Sequence, residues 1–437
     1  MIKFFNTLGH KLENFDVPKG KTINMYVCGP TVYDFDHLGH ARTFIVFDSI
    51  RRFLTEEGYK VKYLQNITDV GHLVGDSDTG EDKISRKAKK EQKDPFEIAR
   101  FYEKAHFADM EGLNIQKPSL APRATEHIQD FIEYIKKLVE AGFAYEFEGD
   151  IYFDITKFPQ YGKLSGKNQD ELKAGARVAP EKGKRHPADF ALWKKADPEH
   201  LMQWESPWGK GYPGWHIECS VMSQKYLGET LDIHGGAVEL GFPHHENEIA
   251  QSESLTHKPL ARFWLHSGLV TINGEKMAKS LGNFVTIRDL LDKYSADTIR
   301  LAILKTHWRR PLDLAQNTFE EASVLARRMT IYRLKAPDMK TGFIEEIMAS
   351  LEDDFNTPKA LGFILENMEK LSVEDWAYIQ RVFGLKLEEE KLEISAENKE
   401  LIEKREQLRR EKKFAEADEI RRKLVEKGIN VEDSSLK

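Results

Sequence analysis

Two histidines separated by a leucine and a glycine, His37-Leu38-Gly39-His40, are the first residues in the chain whose types and spacing suit chemistry. Side chains three apart at a helix start share a face. The backbone N–H groups and the positive dipole end there favour an anionic phosphate. Gly39 has no side chain, so a nucleotide could approach closely. Such groups suit charge stabilisation at a pentavalent phosphorus, where positioning outweighs covalent chemistry. A second cationic element lies far along the chain, in Gly274-Glu275-Lys276-Met277-Ala278-Lys279-Ser280-Leu281-Gly282-Asn283. Its two lysines, three apart between glycines, could close over a triphosphate. Singly, the histidine pair reads as ordinary surface polar groups and the lysine loop as a basic turn. Together they are much more specific.

A second chemistry rests on sulfur. The chain has two cysteines, Cys28 and Cys219. A reducing compartment disfavours a disulfide between them, and two small buried hydrophobes is the plain reading. In His244-His245-Glu246-Asn247-Glu248, His244 and Glu248 are four apart on one helix face and could hold one ion. A polar helix face without metal is the alternative. The zinc-protease pattern fails, because Ile249, not histidine, stands four after His245.

The elements that must position these groups read as α/β. Ile23 to Val27 alternates like a strand and ends at Cys28-Gly29-Pro30, which are turn residues. Phe44, Phe47, Ile50 and Leu54 recur at helical spacing until Gly58, and Val61 to Leu64 reads as a second strand. That is half of a nucleotide-binding sheet, whose ligands sit beyond the carboxyl ends of the strands. A helical stretch from Ile128 to Ala141 and Gly/Lys-rich loops then look like an insertion. The sheet resumes with Leu231-Asp232-Ile233 and Phe263-Trp264-Leu265, each ending in His and Gly. Thr286 to Asp289 resembles a capping box at the start of a helical region. Near the end, Ile402, Leu408, Phe414, Ile420 and Leu424 are spaced among charges of both signs, as in helices that bury one thin stripe.

The totals agree with that reading. A chain of 437 residues predicts two to four domains. With 40% hydrophobic and 31% charged residues it reads as soluble and globular. It has no apolar run long enough to span a membrane and a start too polar for a secretory signal, so a cytoplasmic protein is expected. A net charge of −7 argues against non-specific DNA coating and leaves a shaped RNA open. Nothing in the sequence demands an oligomer, so a monomer is expected.

His37 to His40 resembles the "HIGH" motif of class I aminoacyl-tRNA synthetases, and Lys276 to Ser280 resembles their "KMSKS" motif. Tyr26-Val27-Cys28-Gly29-Pro30-Thr31-Val32-Tyr33, Gly214-Trp215-His216-Ile217-Glu218-Cys219-Ser220 and Phe242-Pro243-His244-His245-Glu246-Asn247-Glu248 are similar to the set of the cysteinyl-tRNA synthetases. The likeness covers nearly the whole chain. It implies a Rossmann-like parallel-sheet catalytic domain split by an insertion and followed by an α-helical anticodon-binding region. The boundaries expected are 1–115 and 206–265 for the two catalytic halves and 116–205 for the insertion. A lysine-loop region at 266–320, a helical bundle at 321–392 and a small C-terminal segment at 393–437 follow.

The resemblance also implies site roles. Zinc would be held by Cys28, Cys219, His244 and Glu248 and would select the substrate by its thiolate, which binds this metal far better than a hydroxyl. Thr68, Trp215 and His234 would line the amino-acid pocket. Gly39, His40 and Lys279 would bind ATP with its Mg2+, and His37, His40, Lys276 and Lys279 would stabilise charge. The products would be a cysteinyl adenylate and then cysteine on the 3′ end of its tRNA. The chain departs from the pattern at Ala278, for the usual first serine of the lysine loop, at Ala237 and Glu239, for the usual Gly and Asp, and in a short C-terminus. Two rivals remain: a paralogous ligase joining cysteine to an amino sugar, and a catalytically silent RNA-binding relative. Asp354 to Lys359 and Lys413 to Arg421 look like the tRNA-binding region and weigh against the first; intact His37, His40 and Lys279 weigh against the second.

Overall fold

A computed structural model describes residues 1–74, 80–168, 182–277, 284–339, 341–389 and 396–426, with the backbone alone at 276, 396–399 and 425–426. The chain divides into two compact units, Met1–Leu387 and Glu388–Lys437.

The first unit opens with a hairpin of β1 (Lys3–Asn6) and β2 (Lys11–Asn14). Strand β3 (Thr22–Val27), helix α1 (Leu38–Glu56) and strand β4 (Lys60–Leu64) then form a βαβ unit, with β3 and β4 parallel. Leu38, Phe44, Ile45, Phe47, Ile50 and Phe53 are buried along α1, so apolar residues face more than one side and the helix is a core element. Helices α2 (Lys83–Glu91), α3 (Pro95–Gly112) and α4 (Ile128–Glu140) follow. The insertion is a four-stranded antiparallel sheet in the order β5 (Ala144–Phe147), β6 (Asp150–Phe153), β7 (Phe190–Lys195) and β8 (Gly211–Pro213). Its last strand lies past the expected boundary at 205.

Helix α5 (Trp215–Leu227), strand β9 (Leu231–Ala237), helix α6 (His244–Thr256) and strand β10 (Ala261–Ser267) complete the main sheet. Its order is β10-β9-β3-β4 with every pairing parallel, so the chain's two halves meet between β3 and β9. Strand order reverses there, and a crevice opens beyond the carboxyl ends. Cys28, His266 and the glycines after His234 all fall at those ends.

Strands β11 (Val270–Ile272) and β12 (Glu275–Lys276), helices α7 (Ile287–Leu291) and α8 (Ala296–Leu304), and strand β13 (Leu312–Leu314) lead out of the sheet. The capping box read at Thr286 is formed, with Asp289 as its reciprocal partner. Four further helices, Thr318–Leu334, Phe343–Glu352, Thr357–Asn367 and Val373–Phe383, share one hydrophobic core with α1 and the sheet. The boundary expected at 320 therefore does not divide a core. Buried Arg300 shows why: it donates to Asp48 of α1 at 2.7 Å and to the Phe383 carbonyl at 2.7 Å, tying the helices to the sheet's own helix. Asp354, in the segment read as tRNA-binding, accepts from the Phe5 N–H at 2.8 Å and from Arg309 Nε at 2.7 Å.

In the second unit, helices Ala396–Arg410 and Phe414–Glu426 bury Ile420 and Leu424 against Leu401, Ile402 and Leu408. Phe414 is 55% exposed and stands outside the expected stripe. No helix among the described residues is long and apolar enough to cross a membrane.

Candidate active site

A cleft of about 610 Å³ opens over the carboxyl ends of β3 and β9. Cys28, Trp215 and His244 line one end; His37, Gly39 and His40 line the other.

The first end is buried. Cys28 follows β3 and its N–H donates to the Gly235 carbonyl of β9 at 3.1 Å. Gly29 must be glycine, because a Cβ there would fall 1.6 Å from the Asn66 carbonyl oxygen. Cys219 sits inside α5 and reaches the same point from the helix. The sulfurs of Cys28 and Cys219 are 3.8 Å apart, Cys28 Sγ is 3.7 Å from Glu248 Oε1, and His244 Nε2 is 3.2 Å from Glu248 Oε1. His244 and Glu248 do share one face of α6, and all four residues are buried.

Zinc fits this donor set. Tetrahedral bonds of the usual lengths put two thiolate sulfurs about 3.8 Å apart and a nitrogen–oxygen pair about 3.3 Å apart. His244 Nδ1 meets His216 Nδ1 at 2.8 Å, which leaves Nε2 facing the other three donors. Burial, then the neighbouring sulfur and carboxylate, raises the Cys28 thiol well above its usual range; burial pushes Cys219 up to about 11. Without an ion both are neutral thiols, so a metal must displace their protons.

A second donor set overlaps the first: Cys28, His234, His245 and Glu248. His245 Nε2 is 3.3 Å from Cys28 Sγ, and His234 Nε2 is 2.7 Å from Glu248 Oε2. Neither His234 nor His245 lines the cleft, and both are fully buried. The first set opens on the space a substrate could enter through both Cys28 and His244, the second through Cys28 alone.

Of the three residues expected in the amino-acid pocket, Trp215 lies on the cleft wall. Its indole stacks on His72 at 3.9 Å and tilts against His244 at 4.3 Å. Thr68 and His234 lie one layer behind. The Thr68 hydroxyl donates to Glu218 Oε2 at 2.7 Å, and His234 stacks on Trp264 at 4.4 Å.

The other end of the cleft is the start of α1. His37 is its N-cap, with Nδ1 accepting from the Gly39 N–H at 3.0 Å, and its ring stacks on that of His40 at 4.0 Å. The two histidines thus share a face. Gly39 has a further reason to be glycine: a Cβ would come within 2.8 Å of the His37 ring. Lys279 and Ala278 lie outside the described residues, as does the side chain of Lys276. Met277 and Phe284, on either side of residues 278–283, both line the cleft, and Phe284 packs edge-on to His37 at 5.3 Å. Glu239 also lines it, from the turn Val238–Gly241.

The sequence reading missed His72, His216, His245 and His266. His245 Nδ1 meets His266 Nε2 at 2.8 Å, and His266 Nδ1 meets Thr7 Oγ1 at 2.8 Å. For His266 the signal was present, in the apolar strand run that ends in it.

Residues 14–324 match the family model of the class I (C) tRNA synthetase catalytic domain, and residues 392–437 match that of the cysteinyl-tRNA ligase anticodon-binding domain. Cysteine–tRNA ligases of Chlorobaculum tepidum and Deinococcus radiodurans are 42% and 44% identical to the chain. The first comparison covers 99% of this chain and 97% of that protein, and the second 99% and 95%. The chain belongs to the cysteine–tRNA ligase family. A ligase of Pyrococcus abyssi is likewise 44% identical over 99% of this chain and 97% of its own. Among solved structures, Mycobacterium tuberculosis methionyl-tRNA synthetase in complex with methionyl-adenylate superposes with a TM-score of 0.59 at 15% identity, over 84% of this chain and 88% of that one. That likeness concerns the fold: the ligase carries the class I parallel sheet with helices after it.

Proposed function

We propose that the enzyme binds cysteine and ATP end to end in the one cleft, the amino acid at the Cys28/His244 end and the triphosphate at the start of α1. The supporting observation is that a single cavity joins a buried two-sulfur donor set to a helix N-terminus flanked by two imidazoles. Cys28, Cys219, His244 and Glu248 would hold zinc, and a bound zinc supplies a soft acceptor for the substrate thiolate that serine's hydroxyl cannot match. Trp215, held between His72 and His244, closes the wall beside the substrate side chain.

The substrate carboxylate then attacks the α-phosphorus of Mg-ATP. A carboxyl O–P bond forms, the bond to the bridging oxygen breaks, and pyrophosphate leaves with its magnesium. His37, His40, Lys276 and Lys279 offset the charge that builds on the transferred phosphorus. A 3′-terminal ribose hydroxyl of the tRNA next attacks the adenylate carbonyl, giving the ester and AMP. Thr68 and His234 act from behind the wall, holding Glu218 and Glu248. The segment 392–437 would contact the anticodon. The reduced thiols the donor set needs support a cytoplasmic location, and a monomer suffices because one chain supplies every group named.

Cysteine should drive ATP–pyrophosphate exchange at least about a hundredfold better than serine, since a site built on one bonding group rejects the analogue lacking it. Equal exchange with both would remove the metal from selection. Labelled cysteine with total tRNA should label tRNA; label appearing only on an amino sugar would favour the paralogous ligase.

A further inference from the structure

The buried carboxylate of Asp36 has no part in the function set out above. It stands just before His37, is 3% exposed, and lies between two imidazoles. Its Oδ2 is 2.5 Å from His106 Nδ1 of α3, and its Oδ1 is 3.1 Å from His40 Nδ1. The Gln65 amide donates to His106 Nε2 at 3.0 Å, so the hydrogen of His106 sits on Nδ1 and is given to Asp36.

His40 Nδ1 faces two opposite demands. The His37 N–H would donate to it at 3.2 Å, closing the helix cap, whereas Asp36 can only accept from it. The cap bond is the one formed, so in the neutral ring Nδ1 accepts and the hydrogen sits on Nε2. Nδ1 is then the nitrogen that titrates, and a proton there faces Asp36 Oδ1 at 3.1 Å. The imidazolium that results carries the charge a phosphate favours.

We propose that Asp36 is a positioning residue and counter-ion, which lets His40 take up a proton when a triphosphate enters the cleft. The inference rests on the placement of ATP at the histidine pair. The other titratable groups around the ring are His37, stacked on it, His106 of α3, and farther out Asp109 of α3, paired with Arg288 at 3.1 Å. Burial lowers the His40 pKa, Asp36 raises it and His106 lowers it, with a net fall below 6.5. The free ring is therefore neutral at pH 7.5. The side chain keeps 34% exposure, so it can receive a proton from solvent. An arriving polyphosphate adds negative charge on the same side of the balance as Asp36, and the imidazolium becomes the favoured form. Binding is then coupled to uptake of one proton from buffer, onto Nδ1 beside Asp36.

Calorimetry of ATP binding to the full chain at pH 7.5, in two buffers of different ionisation enthalpy, reads that proton directly. His40→Asn sets the background contributed by the nucleotide's own phosphates. Wild type should exceed that background by roughly half to one proton per ATP, and Asp36→Asn should fall to it with affinity weakened roughly tenfold. His106→Gln keeps Asp36 but removes its competing partner, so uptake should equal or exceed wild type. Uptake in Asp36→Asn equal to wild type, or a loss in His106→Gln, overturns the proposal. If His40→Asn changes neither affinity nor uptake, the placement of the triphosphate fails first.

Discussion

The two ends of the cleft solve opposite problems. At the sulfur end every donor is buried, and two of the imidazoles are fixed through a second nitrogen by another side chain: His244 by His216, and His245 by His266. At the α1 end the histidines stay half exposed, and their contacts are a helix cap, a stacked pair and one buried carboxylate. A site that selects by bonding needs rigid donors at fixed separations. A site that receives a highly charged, hydrated nucleotide needs groups that can change charge and solvation. The buried end should therefore fail when geometry is disturbed, and the open end when charge is disturbed.

The largest effect expected from this contrast is Cys219→Ser. Serine keeps the volume and loses the thiolate, so metal content should fall from one equivalent towards none. The KM for cysteine should rise by more than about a hundredfold, beyond what loss of an outer partner costs, while calorimetric ATP affinity stays within about threefold. Cobalt substitution offers a second readout, because the sulfur-to-metal charge-transfer band should weaken. If ATP affinity collapses together with cysteine binding, the two ends are not separable. A smaller effect is expected from His216→Asn, which leaves all four donors but frees His244 to rotate. Metal affinity should fall about tenfold to a hundredfold, with the number of bound ions per chain unchanged at saturating zinc. Unaltered affinity would mean that His216 does not orient the ring.

The sequence made much of this legible, for uneven reasons. Strand alternation and the strand-end glycines located β3, β4, β9 and β10, because a sheet buried on both faces leaves short apolar runs bounded by turn residues. The spacing of His244 and Glu248 located one face of a helix. Chain order could not show that Cys219 arrives from a helix, or that Thr68 and His234 stand behind the wall. A residue's depth is set by what packs on it, here Glu218 and Trp264 from other segments. The boundary expected at 320 is bridged for a similar reason: buried Arg300 donates to the Phe383 carbonyl, 83 residues further on. His106 was illegible too, since a histidine in α3 has no local mark of lying against Asp36.

Acid separates the two ends by a smaller measure. Burial, aided by His234 and His10, lowers His266 to about 3, so the unfolded chain, at about 6.5, takes the proton first as pH falls. The stability this neutral ring contributes is complete above about pH 6.5 and is lost progressively towards pH 3. Between pH 6.5 and 5 that loss is about 2 kcal/mol. Asp36 works in a different window. Burial alone would raise its carboxyl, but His106, His40 and His37 overcome that and hold it at about 2, below the ordinary 3.8. Its contribution is complete above about pH 4 and disappears between about pH 4 and 2. Urea unfolding of metal-stripped protein should therefore show His266→Gln losing about 2 kcal/mol less than wild type between pH 6.5 and 5. Asp36→Asn should track wild type over that interval and diverge only below about pH 4. Should both variants diverge in the same interval, the imidazoles at the two ends would titrate as one network, and the contrast between a rigid end and a chargeable one would not hold.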